Sequence, residues 1–241
     1  MGNIKTKGII LLENNMGDFD KMVTLLTPFG KIGCAAKGAR RNNSSLMAGT
    51  QYLCFGEYMI FKGTNSYKIN SSETIEVFYN IRTDLDKLKY AVHITKIVND
   101  VTDENQNTYR ILQLLLNTLY IISETDKNLT LVLSIFRLRL LCVLGFKPQT
   151  NKCWHCGVTS NINFFSIRDN SVKCENCGRA DKSAISISPS TYDAIRYVVG
   201  ADAKRIFSFD IPEDAIKEFD LVTKIFLNEK LEKEYKLENL W

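Results

Sequence analysis

Residues 20–37 read DKMVTLLTPFGKIGCAAK, and this stretch is the clearest indication of structure in the first third of the chain. Two largely apolar runs, 20–27 and 31–37, flank the sequence Thr27-Pro28-Phe29-Gly30. Proline at the second position and glycine at the fourth are typical of a tight turn, because proline fixes φ at the value the turn needs. The stretch therefore predicts a β-hairpin.

Three further apolar runs surround this hairpin. They cover residues 8–12, 52–61 and 74–78, and the last two are rich in the aromatic and β-branched residues that strands favour. Gly63-Thr64-Asn65-Ser66 between them is typical of a loop. Short strands at this spacing predict a small β-barrel domain at residues 1–80.

The hydrophobic pattern changes near residue 81 to the spacing of helices. The segment Thr83-Asp84-Leu85-Asp86 resembles a capping box and predicts the first helix start. Further helices are predicted at 108–123, at 129–144 before Gly145, from Ser188-Pro189 to Gly200, and from near Pro212 to Glu238. The expected fold class is therefore α+β, with a helical domain at residues 81–241.

Two Cys-x-x-Cys pairs, 17 residues apart, lie in a module at about residues 147–184 of the helical part. Their cysteines are Cys153, Cys156, Cys174 and Cys177. This spacing is typical of zinc sites, and four thiolates form a closed shell, so we predict one structural Zn²⁺ per chain. His155 in place of one cysteine, or an iron–sulfur cluster, remains an alternative.

The other cysteines and two glycines have simpler interpretations. Cys34, Cys54 and Cys142 stand alone in apolar stretches and are predicted to be small core residues. Gly157 and Gly178 directly follow the two cysteine pairs, where we expect turns with positive φ.

The composition limits the class of protein. The 241 residues are 45% hydrophobic and 24% charged, with a net charge of +4, which permits a nucleic-acid partner without requiring one. No secretory signal precedes the barrel, and Arg137 and Arg139 interrupt the most apolar stretch, so we expect a cytoplasmic protein without a membrane partner. Phosphate-binding loops and a catalytic histidine constellation are absent, which favours a non-enzymatic function.

Basic residues concentrate in the barrel segment, where seven of them lie between Lys5 and Arg41 against three acidic residues. The predicted DNA contacts are Lys21, Lys31, Lys37, Arg40 and Arg41. The interleaved aromatic residues either stack on bases or fill the core; they are Phe19, Phe29, Tyr52, Phe55 and Tyr58. The cysteine module offers an alternative basic surface with Lys152, Arg168, Lys173 and Lys182.

Two blocks of the chain resemble the bacterial RecO family of DNA repair proteins. The first consists of the runs 8–12, 17–31 and 36–41. The second extends from Phe136 to Pro148 and leads into the cysteine pairs. The resemblance covers nearly the whole chain. The family usually has Glu where Asp18 stands, and it often has an acidic residue in place of Arg137. The role of the helix surface at Arg137 is therefore open.

The resemblance implies an oligonucleotide-binding (OB) barrel followed by a helical domain with a zinc finger. It further implies a nucleoid-associated recombination mediator that binds single- and double-stranded DNA and anneals complementary strands. The implied partners are RecR and the single-stranded-DNA-binding protein, on whose coated strands the recombinase is loaded. The residues alone also allow a zinc-braced adaptor between proteins, or an RNA-binding translation factor.

Overall fold

The computed structural model describes residues 2–64 and 66–237, and the chain begins with a closed barrel of five strands. The strands are β1 (Gly2–Met16), β2 (Asp20–Thr27), β3 (Gly30–Ala36), β4 (Phe55–Lys62) and β5 (Tyr67–Glu76). Their order around the barrel is β1-β2-β3-β5-β4. The predicted α+β class, with a barrel first and helices after it, is confirmed, and β2 and β3 form the predicted hairpin.

Strand β1 closes the barrel because it pairs with two neighbours. Its first half pairs antiparallel with β4, and its second half pairs antiparallel with β2. The register shifts between Ile10 and Leu12, an irregularity that bends a strand. Parallel pairing of β3 with β5, with Cys34 opposite Tyr67, completes the barrel.

Apolar side chains from every strand fill the barrel interior. The core includes Ile10, Val23, Leu25, Cys34, Cys54, Tyr58, Ile60 and Ile69. Cys34 and Cys54 are completely buried, as predicted, and burial raises the pKa of the Cys34 thiol to about 12.

Several strand boundaries differ from the prediction. β1 extends beyond residues 8–12 on both sides, because pairing with β4 and β2 also recruits its polar ends. The strand predicted at 52–61 begins only at Phe55, since Leu53 has a φ of 63°, outside the strand region. The strand predicted at 74–78 begins earlier and ends at Glu76.

Three helices complete the first unit. They are α1 (Tyr79–Thr83), α2 (Leu85–Asp100) and α3 (Tyr109–Glu124). The N-cap of α2 is Asp84 rather than the expected Thr83, because the Asp84 carboxylate accepts hydrogen bonds from two backbone N–H groups of the first turn. The loop between α2 and α3 contacts the hairpin tip: Lys31 N donates to Asp103 O over 3.0 Å, and Gly30 N donates to Thr108 Oγ1 over 3.1 Å.

The second unit combines helices with a three-stranded sheet of order β7-β6-β8. Its elements are α4 (Leu129–Val143), β6 (Ile162–Ser166), β7 (Ser171–Cys174), α5 (Glu175–Arg179), β8 (Ala184–Ser186), α6 (Pro189–Gly200) and α7 (Glu213–Leu231). Residues 131–138 of α4 are all buried, which confirms a core helix, and Cys142 near its end is half-buried. Ser188 caps α6 as predicted, by accepting a hydrogen bond from Thr191 N.

Helix α7 is shorter than predicted. It ends at Leu231, where Glu232 adopts a left-handed φ of 50°, so the predicted extension is wrong for residues 232–237. Glu238, the predicted end, lies outside the described residues.

The chain divides into two compact units, residues 1–123 and 124–241. Helices α1 and α2 and nearly all of α3 therefore belong to the same unit as the barrel, and the expected domain boundary near residue 80 stays a prediction. Within residues 2–64 and 66–237, no helix is both long enough and apolar enough to cross a membrane.

Candidate nucleic-acid interface and metal centre

The turn between β1 and β2 and the segment after β3 form one surface, which we call the barrel rim (residues 17–20 and 37–41). Three hydrogen bonds join the two segments. The Asp20 carboxylate accepts from Gly38 N over 2.7 Å, Arg40 N donates to Phe19 O over 2.9 Å, and Arg40 Nη1 donates to Gly17 O over 3.2 Å. The hairpin register, with Lys21 opposite Ala36, brings these segments together.

The rim combines exposed cations with an exposed aromatic ring. Lys37, Arg40 and Arg41 are all exposed. The Arg41 guanidinium carbon lies 5.3 Å from the centre of the Phe19 ring, and Phe19 is 51% exposed. A guanidinium over an aromatic ring keeps its charge while the ring holds it in place. The rim can therefore contact phosphates and stack on a base at neighbouring positions.

The cysteine module brings four thiols together from two short turns. In the first turn, Cys153 N donates to Val158 O over 2.7 Å and Gly157 N donates to Cys153 O over 3.0 Å. Cys174 is the last residue of β7. Helix α5 begins at the next residue and contains Cys177. All four sulfur atoms lie within 4.8 Å of one another, and the Sγ atoms of Cys156 and Cys174 are 3.6 Å apart.

These distances fit a metal ion bound by four thiolates. A tetrahedral zinc ion with Zn–S bonds of about 2.3 Å requires sulfur separations of about 3.8 Å. Burial acts to raise the pKa of the Cys153 thiol, but hydrogen bonds from the backbone of Cys156, Cys174 and His155 lower it to about 6. Burial and the neighbouring thiols raise the pKa of Cys177 to about 12. A bound cation would offset the cost of ionising such crowded thiols.

The two glycines after the cysteine pairs serve different purposes. Gly157 has the predicted positive φ, 79°. The prediction of a positive φ is wrong for Gly178, which lies inside α5. A Cβ atom at Gly178 would lie 2.2 Å from Cγ of Phe164, so the close approach of β6 requires glycine there.

Comparison with known proteins gives the family. Residues 1–78 match the family described as recombination protein O N terminal, and residues 82–238 match recombination protein O C terminal. The chain belongs to the RecO family. Among its relatives, DNA repair protein RecO of Acetivibrio thermocellus is 41% identical over 98% of this chain and 94% of its own. The RecO proteins of Alkaliphilus metalliredigens and Bacillus subtilis are 35% and 31% identical, over 84% and 93% of this chain and 83% and 88% of their own.

Two of the five residues predicted to contact DNA in this RecO-family chain interact instead with other residues of the barrel unit. The Lys21 ammonium pairs with the Glu13 carboxylate, and the Lys21 side chain is only 13% exposed. Lys31 Nζ donates to Asn99 O over 2.6 Å, near the C-terminal end of α2. Lys37, Arg40 and Arg41 thus form one exposed basic group. Lys21 and Lys31 are not part of this group, because their ammonium groups already have partners within the unit.

The aromatic residues of the RecO barrel divide between core and surface. Phe19 and Phe29 are exposed, whereas Tyr52 and Phe55 are half-buried and Tyr58 is buried. Tyr58 Oη donates to Gly49 O over 2.7 Å, so this side chain belongs to the core. Phe29 lies at the hairpin tip, at the opposite end of β2 and β3 from the rim.

Arg137 is only 2% exposed. Its Nη1 donates to Asp220 Oδ1 over 2.6 Å, which joins α4 to α7. This position therefore contributes to helix packing and adds no positive surface.

In the alternative basic surface on the cysteine module, one of the four predicted basic residues is buried. Lys173 is 5% exposed, and its ammonium pairs with Asp169 over 2.5 Å and with Asp181 over 2.7 Å. Arg168 also contacts both carboxylates. Lys152 and Lys182 remain as exposed cations of this surface. Neither lysine has an ion-pair partner among the residues described.

Proposed function

We propose that this chain is a recombination mediator in DNA repair. It binds single- and double-stranded DNA, anneals complementary strands, and acts with RecR to load recombinase onto strands coated by single-stranded-DNA-binding protein. The observation that carries the proposal is the barrel rim, where Lys37, Arg40 and Arg41 are exposed and Arg41 lies over the exposed ring of Phe19. Family membership supports the repair role.

The mechanism needs no bond chemistry. Two strands that anneal are polyanions, and their repulsion must be screened while their bases stay accessible. Lys and Arg side chains on the rim replace condensed counterions on the phosphates, which lowers this repulsion and makes binding depend on salt. The Phe19 ring can hold a base by stacking without reading its identity, so the bases remain free to exchange onto a partner strand.

The cysteine cluster has a separate, structural role in the proposal. Cys153, Cys156, Cys174 and Cys177 would hold one Zn²⁺ in a closed shell, which leaves no position for substrate or water. The ion would fix the two turns relative to the small sheet, and it would supply folding free energy rather than catalysis.

The rim can be tested by the salt dependence of DNA binding. We expect the triple variant Lys37→Ala/Arg40→Ala/Arg41→Ala to bind a labelled single strand more weakly in fluorescence anisotropy. The slope of log affinity against log salt should fall by about 2, since each single-strand phosphate contact contributes about 0.7. A matched control removes the same number of charges from α2 and α3, at Lys89, Lys96 and Arg110.

The control variant should keep the slope of the unmodified protein. An unchanged slope in the rim variant would contradict the proposal and place the DNA site elsewhere, with Lys152 and Lys182 of the cysteine module as the next residues to test. Competition between single-stranded DNA and RNA of the same sequence distinguishes a DNA-binding mediator from an RNA-binding factor. A mediator should stay bound to the DNA when the RNA is added.

A further inference from the structure

An open cleft of about 660 Å³ lies beside the barrel rim. The strand ends of β1 and β2 form part of its lining, and Arg40 of the rim forms another part. Asn15 stands opposite Lys21 in the sheet, and Glu13 stands opposite the buried Val23, so these side chains continue the inner face of the barrel past its core. A volume of this size is sufficient for a nucleotide-sized ligand.

Two of the three charged side chains that line the cleft neutralise each other, and the third, Arg40, belongs to the rim. The Glu13 carboxylate pairs with the Lys21 ammonium and also accepts a hydrogen bond from Tyr52 N over 3.2 Å. A free anion would meet this carboxylate, and a free cation would meet Lys21 and Arg40. The cleft therefore favours an uncharged polar group over an ion.

The remaining lining offers a polar group for the edge of a nucleobase and an apolar surface for its face. Asn15 is exposed, and its amide group has no hydrogen-bond partner among the residues that the structure describes. This amide can donate and accept, as the edge of a base requires. Asn14 stands opposite the exposed Met22, so its side chain lies on the other face of β1. The half-buried Met47 supplies an apolar surface on which a flat ring can pack.

We propose that this cleft receives one nucleobase turned out from a bound strand, while the rim holds the adjacent phosphates. The inference rests on the proposed function, because the rim must first bind DNA. Asn15 hydrogen-bonds to the edge of the base, and Met47 packs against its face. A base in a duplex must first leave its stack and its pair, so the cleft favours single strands.

The test compares a thymidine oligonucleotide with an abasic strand of the same length, which keeps the phosphates and lacks the bases. We expect Asn15→Ala to weaken binding of the thymidine strand about tenfold and to leave binding of the abasic strand unchanged, because it removes a hydrogen bond to a base. The matched control, Asn42→Ala, changes an exposed asparagine next to Arg41 that does not line the cleft. It should alter neither affinity.

If Asn15→Ala and the unmodified protein bind the thymidine strand equally well, or if the variant loses affinity equally for both strands, the cleft proposal is overturned and the rim proposal is unaffected. The failure of the proposed function has a different signature. In that case, the unmodified protein would bind neither strand at low salt. Asn15 and Asn42 are both exposed, so circular dichroism should show an unchanged fold in both variants.

Discussion

Gly30, at the tip of the β2–β3 hairpin, shows how a single residue fixes the hairpin to the helices of its unit. Its φ is 125°, and a Cβ atom there would lie 2.7 Å from Asp103 O and 2.8 Å from Asn105 N. Both neighbours are backbone atoms of the α2–α3 loop, which cannot move aside as a flexible side chain can. The close approach of the two backbones therefore requires glycine.

Gly30→Ala should lower the free energy of unfolding by about 3 kcal/mol, because the left-handed strain adds to a backbone clash. Gly33→Ala on the same hairpin is the matched control, since nothing lies within 4 Å of its Cβ position. Urea denaturation followed by far-UV circular dichroism measures both variants. A loss of the same size in both variants, or in neither, would contradict this account of the hairpin tip.

The residue type and the local pattern were sufficient to predict that four cysteines form a cluster, that the thiols of Cys34 and Cys54 are buried, and that residues 27–30 form a turn. They were not sufficient for residues whose partners lie far away in the chain. Arg137 meets Asp220 in another helix, and Gly178 is close to Phe164 in another strand. Lys21 and Lys31 share the residue type and local charge of Lys37, and only the pairing of strands and helices separates them.

Among the elements of the second unit, the cysteine module brings the thiols of two short turns together. Cys174→Ser should abolish stoichiometric zinc binding, because three thiolates no longer complete the closed shell, and should unfold residues 147–184 at least in part. Metal analysis of the purified protein and thermal unfolding measure the two effects.

Cys142→Ser is the matched control for this prediction, since Cys142 is a half-buried thiol outside the cluster. It should keep one zinc ion per chain. Full zinc content and an unchanged melting temperature in Cys174→Ser would show that the cluster does not depend on metal.

Element boundaries were predicted less well than element types. The centre of each long helix could be predicted from its spacing, whereas the ends depend on individual dihedral angles and caps. Asp84, rather than its neighbour Thr83, caps α2 with its side chain, and the left-handed angle at Glu232 ends α7 before the charged residues that follow. Such choices between adjacent residues depend on packing, which periodicity does not report.

At the scale of the whole molecule, a net charge of +4 conceals an uneven distribution. Many cations are engaged in ion pairs or buried, as Lys21, Arg137 and Lys173 are, so the overall charge is a poor guide to DNA binding. The exposed group at the rim is small but lies beside the exposed ring of Phe19. This placement, rather than the total charge, supports a function in strand annealing.

The most direct test of this account is the rate at which the zinc-loaded protein anneals complementary single strands across a salt series. We expect the protein to accelerate annealing at low salt and to lose this effect as salt rises, because rim contacts compete with counterions. Lys37→Ala/Arg40→Ala/Arg41→Ala should remove most of the acceleration at low salt. Acceleration that is independent of salt, or that survives in the rim variant, would contradict the central claim that the barrel rim screens the two strands.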